Sequence, residues 1–441
     1  MIGSLKDKLI REGIFFEKKL RFLYESQNYS KQELINYQDE QLRKVVKHAY
    51  KYVPYYKELF DNNKLAVDDI KSQNDLWKVP ILTKQDVKEN FEKLKSTKHP
   101  KSLLNLGNTS GTTGSPLKMY RDINSIIFEN AIVWRQWNWA GIELGEDIAV
   151  LRGERIISKE VNEPPYWKYD KVTKRLKLSP IHLTDTNMDK YIEAIEKKGI
   201  KVLQAYPSNA YVLAKHLIKI NRQLNLKAVL TSSEPLHLYQ REVIEKAFCC
   251  KVWDFYGMAE RVVSASECFE HDGLHINEEY SITEFLYNEE INNEKGIIVG
   301  TTLHNYGMPL IRYKTGDFAQ VKNYDCECGK RHRLINPIET KSEDMIFTKD
   351  RKYISPSTVT HIFKPLKNIY ESQIIQYDVD NYKIKIVQDG IFSQEDKALL
   401  EKRSKELFGT NSIVNIDIVE NIERTKNGKF RWIISNVKQG E

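Results

Sequence analysis

The sequence is poor in what a secreted, membrane-spanning or repetitive chain would need. Its five cysteines, Cys249, Cys250, Cys268, Cys326 and Cys328, are few and odd in number for 441 residues. With no secretion signal in front of them they argue against a disulfide framework. The opening MIGSLKDKLIREG carries charges where the apolar part of a signal peptide would sit. No apolar run nears the roughly 20 residues of a membrane span. The best candidate, 126–142, is broken by Glu129, Arg135, Gln136 and Asn138. Apolar positions at Leu5, Leu9, Phe16, Leu20 and Leu23 form a helical stripe, expected to pack on the parent domain rather than on a lipid surface. No repeat of fixed period is present, which excludes solenoids and propellers. A cytoplasmic chain without a membrane span, monomeric or homodimeric, is the expectation.

Charge is also unremarkable in amount. A formal net charge of +7 suits anionic ligands, but it is not gathered into a stripe, so no nucleic-acid partner is expected. The densest basic run, Lys93 to Lys101, reads as a solvated helix end and loop. The length exceeds one ordinary core, so two or more domains are expected.

The first hundred residues read as mainly helical, with turn signals at Val53-Pro54 and Val79-Pro80. Then β-prone segments alternate with helical ones: Ile148 to Gly153, Lys201 to Tyr206 and Lys227 to Ser233. Such alternation predicts an α/β sheet with ligand loops at the carboxyl ends of its strands. After Gly273, Gly296 to Leu303 and Pro309 to Val321 read as antiparallel β structure with a turn at Thr315-Gly316-Asp317. The last hundred residues predict a strand pair over 374–387, a helix from Ser393 to Phe408 and a strand over 413–419, enough for a small α+β domain.

One segment stands out for its chemistry. In TSGTTGSPLK, Thr109 to Lys118, glycines let backbone N–H groups approach a phosphate, hydroxyls add donors and a lysine adds charge. A Walker A loop is excluded, because two residues rather than four separate Gly111 and Gly114. The bland alternative is a flexible Ser/Thr/Gly linker.

That segment resembles the phosphate loop of the adenylate-forming superfamily, which includes the acyl-CoA ligases. VWDFYGMAE (252–260) is similar to its Tyr-Gly-x-x-Glu motif, YKTGD (313–317) to its Tyr-x-Thr-Gly-Asp motif, and RTKNGKFR (424–431) to its C-terminal Gly-Lys motif. All four occur in the family's order. Within the superfamily, VPYYKELF (53–60), PILTKQDV (80–87), MPLIRYKTGD and CECGK resemble the phenylacetate–CoA ligase branch and the CapK-like proteins associated with surface polysaccharides.

The resemblance implies an α/β protein: a large N-terminal domain of mixed sheets and helices (1–339), a hinge (340–344) and a small α+β lid (345–441). It implies ATP and Mg²⁺ as cofactors and a carboxylic acid as substrate, activated as an acyl-adenylate. Thr109, Ser110, Gly111, Thr112, Thr113, Gly114 and Lys118 would hold the β- and γ-phosphates. Ser233, Glu234 and Pro235 would wall the adenine, with Tyr256 stacking or lining the acyl pocket and Gly257 allowing close approach. Glu260 would ligate Mg²⁺, Asp317 would accept from the ribose, and Lys429, near the chain end, would stabilise charge at the α-phosphate after the lid closes. Tyr206 and Pro207 would face the acid. Trp134 and Trp137 are read as core. Two departures stand out: Ala259 replaces a hydroxyl residue, and Lys341 replaces an arginine that helps bind ribose and cannot offer the same forked contact.

Cys268-x-x-His271 and Cys326-x-Cys328 supply two ligand pairs for a closed structural zinc site. His275 and His332 compete for the imidazole position, and reduced, unliganded cysteines are the alternative. Cys249 and Cys250 read as buried core thiols. The acceptor of the acyl group is left as a thiol or an amine: coenzyme A, a carrier protein or an amino sugar. An aryl-CoA ligase and a non-catalytic nucleotide-binding homologue are the competing readings. A kinase is excluded for want of its loops.

Overall fold

The computed structural model describes residues 13–108, 117–152, 163–338, 346–349, 353–354, 368–388, 390–425 and 430–437, with 359, 362, 363, 365 and 366. It divides into two compact units. One comprises 1–315 and 319–338, the other 339–441 together with 316–318. The expected hinge, 340–344, lies outside the described residues. The protein is thus α/β, with a large sheet-and-helix body and a small C-terminal domain.

The larger unit begins with three helices, α1 (Ile14–Ser26), α2 (Lys31–Tyr52) and α3 (Pro54–Asn62). Ser30 starts α2 with a capping box: its hydroxyl accepts from the Glu33 N–H, and the Glu33 carboxylate accepts from the Ser30 N–H. Pro54 ends α2, because the residue before a proline is pushed out of helical geometry, and it opens α3 at its first position. The stripe on α1 packs inward as expected. Phe16, Leu20 and Leu23 join Phe128, Ile132 and Trp134 in one core cluster. Leu5 and Leu9 lie outside the described residues. No described helix is long and apolar enough to cross a membrane.

A short hairpin follows, β1 (Asn105–Asn108) with β2 (Lys118–Arg121), and then helix α4 (Ile123–Trp139). The central sheet takes β3 (Ile148–Leu151), β4 (Trp167–Asp170), β5 (Arg175–Leu178), β6 (Val202–Ala205), β7 (Ala228–Ser232), β8 (Lys251–Gly257), β9 (Ser264–Glu267), β10 (Leu274–Ile276) and β15 (Leu334–Ile335). Their order is β15-β10-β9-β8-β7-β6-β3-β5-β4. The run β5-β3-β6-β7-β8 is parallel, with antiparallel strands at both edges. Apolar segments buried on both faces give the parallel run, since helices α5 (Asp185–Lys197), α6 (Pro207–Lys219) and α7 (Leu238–Phe248) cross between them.

A second sheet, β12-β11-β13-β14, is built from β11 (Ser281–Tyr287), β12 (Glu290–Asn292), β13 (Lys295–Thr302) and β14 (Tyr313–Gln320). The turn expected at Thr315-Gly316-Asp317 is instead strand. Gly316 takes φ +87° inside β14, a kink that a residue without a side chain absorbs without breaking the strand.

A buried ion pair locks the body together. Arg135 on α4 donates to Glu279 at 2.6 Å and to Asn277 at 2.7 Å, and the Ser26 hydroxyl donates to the same Glu279 oxygen at 2.7 Å. Removing one partner would leave a charge buried alone, which costs about 3–5 kcal/mol. Trp134 and Trp137 are buried as expected. The expectation for Cys249 and Cys250 fails: Cys249 is exposed and Cys250 half-buried. Cys249 caps α7 in a left-handed conformation (φ +52°), where the chain turns outward before β8.

The smaller unit holds a short antiparallel pair, β16 (Ile346–Phe347) with β17 (Tyr353–Ile354), and a sheet in the order β20-β19-β18-β21, from β18 (Ile369–Gln376), β19 (Asn381–Gln388), β20 (Ile413–Ile418) and β21 (Ile433–Ser435). Helix α8 (Gln394–Phe408), capped by Ser393, supplies Leu400 and Phe408 to a core shared with Ile384, Ile386 and Val414.

Candidate active site and Cys/His cluster

Parallel strands place their following residues along one edge of the sheet, where open α/β sheets bind ligands. Here β3, β6, β7 and β8 are neighbours, and they end at Leu151, Ala205, Ser232 and Gly257. Arg152, Tyr206-Pro207, Ser233-Glu234-Pro235 and Met258-Ala259-Glu260 therefore share that edge. The fold brings together Tyr206, Pro207, Ser233, Glu234, Pro235, Tyr256, Gly257 and Glu260 from the sequence reading.

Several of these positions have local causes. Ser233 sits at φ +73°, an uncommon conformation for a residue with a side chain. Its hydroxyl accepts from the Arg152 guanidinium at 2.9 Å. The Glu234 carboxylate accepts from the Ser208 N–H at 3.2 Å, tying the β7 loop to the first turn of α6. At Gly257 an added Cβ would lie 2.7 Å from the Phe255 ring, so only glycine fits without displacing that ring.

Glu260 is held from two sides. The Tyr313 hydroxyl donates to it at 3.2 Å. Arg121, at the end of β2, donates twice to the carbonyl of neighbouring Ala259, at 3.1 and 2.6 Å. A Cβ on Gly107 would stand 2.5 Å from the Arg121 guanidinium, so β1 needs glycine there for the arginine to lie flat. The hairpin that flanks the expected phosphate loop is thereby pinned to the Glu260 turn. Sequence reading missed Arg121, because no motif carries it.

Lys118 lies exposed on β2, and Asp317 lies on β14. Thr109, Ser110, Gly111, Thr112, Thr113, Gly114, Lys341 and Lys429 lie outside the described residues. The flanks of Lys429 are well anchored within the smaller unit. Arg424 pairs with Glu371 and sits 4.4 Å from the Phe430 ring centre, and the Arg431 carbonyl accepts from Gln373 at 2.7 Å.

Asp254 lies wholly buried beneath this edge. It accepts from the Thr231 hydroxyl at 2.7 Å. Burial, reinforced by the charge of Glu267, pushes its carboxyl up to about 7.

At the far side of the sheet, Cys268, His275, Cys326 and Cys328 converge, with all four ligand atoms within 4.8 Å of one another. The Cys268 and Cys326 sulfurs are 3.6 Å apart, and the Cys328 sulfur is 3.3 Å from His275 Nε2. The Cys268 thiol bonded to it, then His275, pull the Cys328 thiol down to about 3. His275 Nδ1 lies 3.2 Å from the His332 carbonyl, an acceptor that fixes the proton there and leaves Nε2 free to bind. The expected His271 is not in the cluster. It follows Cys268 in a tight turn at φ +53°, and its ring packs edge-on against Trp253 at 4.8 Å. His275 replaces it because β10 returns antiparallel between β9 and β15, bringing that ring to the Cys326–Cys328 loop. His332 faces Glu279 instead, at 3.0 Å.

A family model described as the CapK C-terminal domain matches residues 346–436. Protein CapK of Staphylococcus aureus is 26% identical over 418 residues, 92% of this chain and 90% of that protein. The phenylacetate-coenzyme A ligase of Thermus thermophilus is 22% identical, over 84% of this chain and 82% of that one. Its homologues are CapK and the phenylacetate–CoA ligases. Among solved structures, 2-hydroxyisobutyryl-CoA ligase in the postadenylation state with 2-HIB-AMP superposes with a TM-score of 0.72 at 19% identity, covering 93% of this chain and 91% of that one. At that identity the likeness is one of fold, and the fold is that of the adenylate-forming CoA ligases.

Proposed function

We propose that this protein is an adenylate-forming ligase that activates a carboxylic acid with ATP and passes the acyl group to a thiol or an amine. The observation that carries this reading is the shared edge of β3, β6, β7 and β8, with Tyr206, Ser233, Gly257 and Glu260 at adjacent strand ends. Relatives that span nearly the whole chain, CapK and phenylacetate-coenzyme A ligases, support it.

In this reading Glu260 would hold Mg²⁺, which would supply positive charge to offset that of the phosphates. A carboxylate oxygen attacks the α-phosphorus and pyrophosphate leaves, giving a mixed anhydride. Lys429 stabilises the charge that grows on the α-phosphate. Arg121 keeps Glu260 in register through the Ala259 carbonyl. Asp317 accepts from the ribose, with Lys341 in support, and residues 109–114 with Lys118 cradle the outgoing phosphates. An acceptor thiol or amine then attacks the anhydride carbon and AMP departs. Coenzyme A, a carrier protein and an amino sugar are the acceptor candidates, the last in keeping with the CapK likeness. Domain movement about 340–344 brings Lys429 in, and the reaction runs in the cytoplasm.

The Cys/His cluster fits a structural zinc ion. Zinc bound to thiolates and one imidazole in a tetrahedron has edges of about 3.8 Å between sulfurs and about 3.5 Å between sulfur and nitrogen. The 3.6 and 3.3 Å separations in the cluster fall close to both. Four protein ligands fill the shell, so the role is structural.

ATP–pyrophosphate exchange across a panel of acids tests the activation step. Acid-dependent exchange, lost in Lys429→Ala, is expected. Exchange untouched by that substitution, or none with any acid, would refute it.

A further inference from the structure

The acid itself is narrowed by a residue that no motif marks. Arg152 directly follows β3, and its guanidinium carbon lies 5.3 Å from the centre of the Tyr206 ring, at the end of the next strand. It reaches past that ring to donate to Ser233 at the end of β7. Of the five donors a guanidinium carries, this is the one taken among the described residues, and no carboxylate there pairs with Arg152. On the first turn of α6, Ser208 is 4% exposed and its hydroxyl has no hydrogen-bond partner among the described residues. The Ser208 N–H, by contrast, is satisfied by Glu234. Positive charge at this spot therefore comes from Arg152 and not from the start of α6.

Position separates this group from the phosphate chemistry. Glu260 follows β8, whereas Arg152 follows β3, three strand spacings or about 14 Å along the sheet. Between them stands Tyr206, on the segment read above as the acid-pocket wall. A guanidinium beside an aromatic wall is well placed to meet an anion, since weak hydration and a flat face suit it to a partly apolar site. A purely hydrocarbon acid would strip water from that cation and return nothing.

We propose that Arg152 is a specificity-determining residue, and that the acid taken by this protein carries a second anionic group besides the carboxylate that is activated. The second group meets the Arg152 guanidinium, while the reacting carboxylate points toward the Glu260 end. This inference rests on the activation reading and deepens it by naming the substrate class.

The test is pyrophosphate exchange by the full-length protein on matched pairs, succinate against butyrate and glutarate against valerate, with phenylacetate as an apolar reference. The dicarboxylate of each pair should have the higher kcat/KM, on the order of 10–100-fold, the range of a charge-assisted hydrogen bond. Arg152→Met should abolish that preference by raising KM for the dicarboxylate, with KM for the paired monoacid nearly unchanged. Arg152→Lys should keep part of it, and a melting curve confirms that both variants are folded. A wild-type preference for the monoacids would overturn the inference while leaving adenylation intact. So would Arg152→Met if it slowed all acids equally. Absence of exchange with every acid would overturn the activation reading and this inference with it.

Discussion

The two ends of the central sheet solve opposite problems. Around β9, β10 and β15 the Cys/His cluster is closed: Cys268, His275 and Cys326 are at most 6% exposed and a fourth ligand completes the set. Along the carboxyl ends of β3, β6, β7 and β8, by contrast, Arg152, Glu234 and Glu260 stand half-buried and Ser233 exposed, and two residues, Ser233 at φ +73° and Arg261 at φ +57°, take left-handed backbone conformations. On the proposed zinc reading, four ligands closed around one ion store stability and do no chemistry. An open edge with strained turns gives up stability to hold reacting groups in place. Substitutions at the first should therefore be read in melting temperature and at the second in rate.

The largest effect is expected from emptying the cluster. Cys268→Ser or prolonged chelation should remove about one zinc per chain and lower Tm by about 10 °C, as metal analysis and calorimetry would record. His275→Ala should do the same, whereas His271→Ala should keep its zinc. The reverse ranking of the two histidines would break the assignment. At the open edge, Glu260→Gln should cut kcat/KM for exchange by about 10²–10³-fold with Tm nearly unchanged. A Tm drop that matched the loss of rate would erase the contrast.

Arg121→Leu is the intermediate case, because its target is the position of Glu260 rather than the reacting atoms. It should raise the Mg²⁺ concentration needed for half-maximal rate roughly tenfold, with Arg121→Lys recovering part. A purely structural role would change Tm without moving that Mg²⁺ dependence.

The smallest effect concerns pH. Burial raises the Asp254 carboxyl to about 7 in the folded chain, against 3.8 for the ordinary group. A raised acid favours the folded state below about pH 4, and that advantage is lost as pH rises toward 7. Melting temperature should fall over this window, and Asp254→Asn should flatten the fall by about 2 °C. An unchanged slope in the variant would assign the pH dependence to other groups.

Much of this was legible in the sequence. Ile148 to Gly153, Lys201 to Tyr206 and Lys227 to Ser233 read as β-prone segments, the latter two followed by a helical pattern, and each supplies a strand (β3, β6 and β7) to the parallel run. The rest depended on pairings that span far in sequence. His271 looked like a ligand because it sits three residues after Cys268. Only the antiparallel return of β10 puts His275 nearer. Thr315-Gly316-Asp317 reads as a turn by composition, yet it lies within β14, beside β13, with a kink at Gly316. Arg121 and Arg152 belong to no motif, because their meaning comes from a carbonyl and a ring brought to them by the sheet. The buried pair of Arg135 and Glu279 was equally invisible, since a charged residue on an amphipathic helix is usually solvated.

One measurement goes to the centre. Incubate the protein with α-labelled ATP, Mg²⁺ and an acid that supports exchange, withhold any thiol or amine, and separate the nucleotides after a single turnover. Adenylate formation predicts label in AMP and in an acyl-adenylate at about one per chain, with none in ADP. Label accumulating in ADP would contradict it, because that product requires transfer of the γ-phosphate.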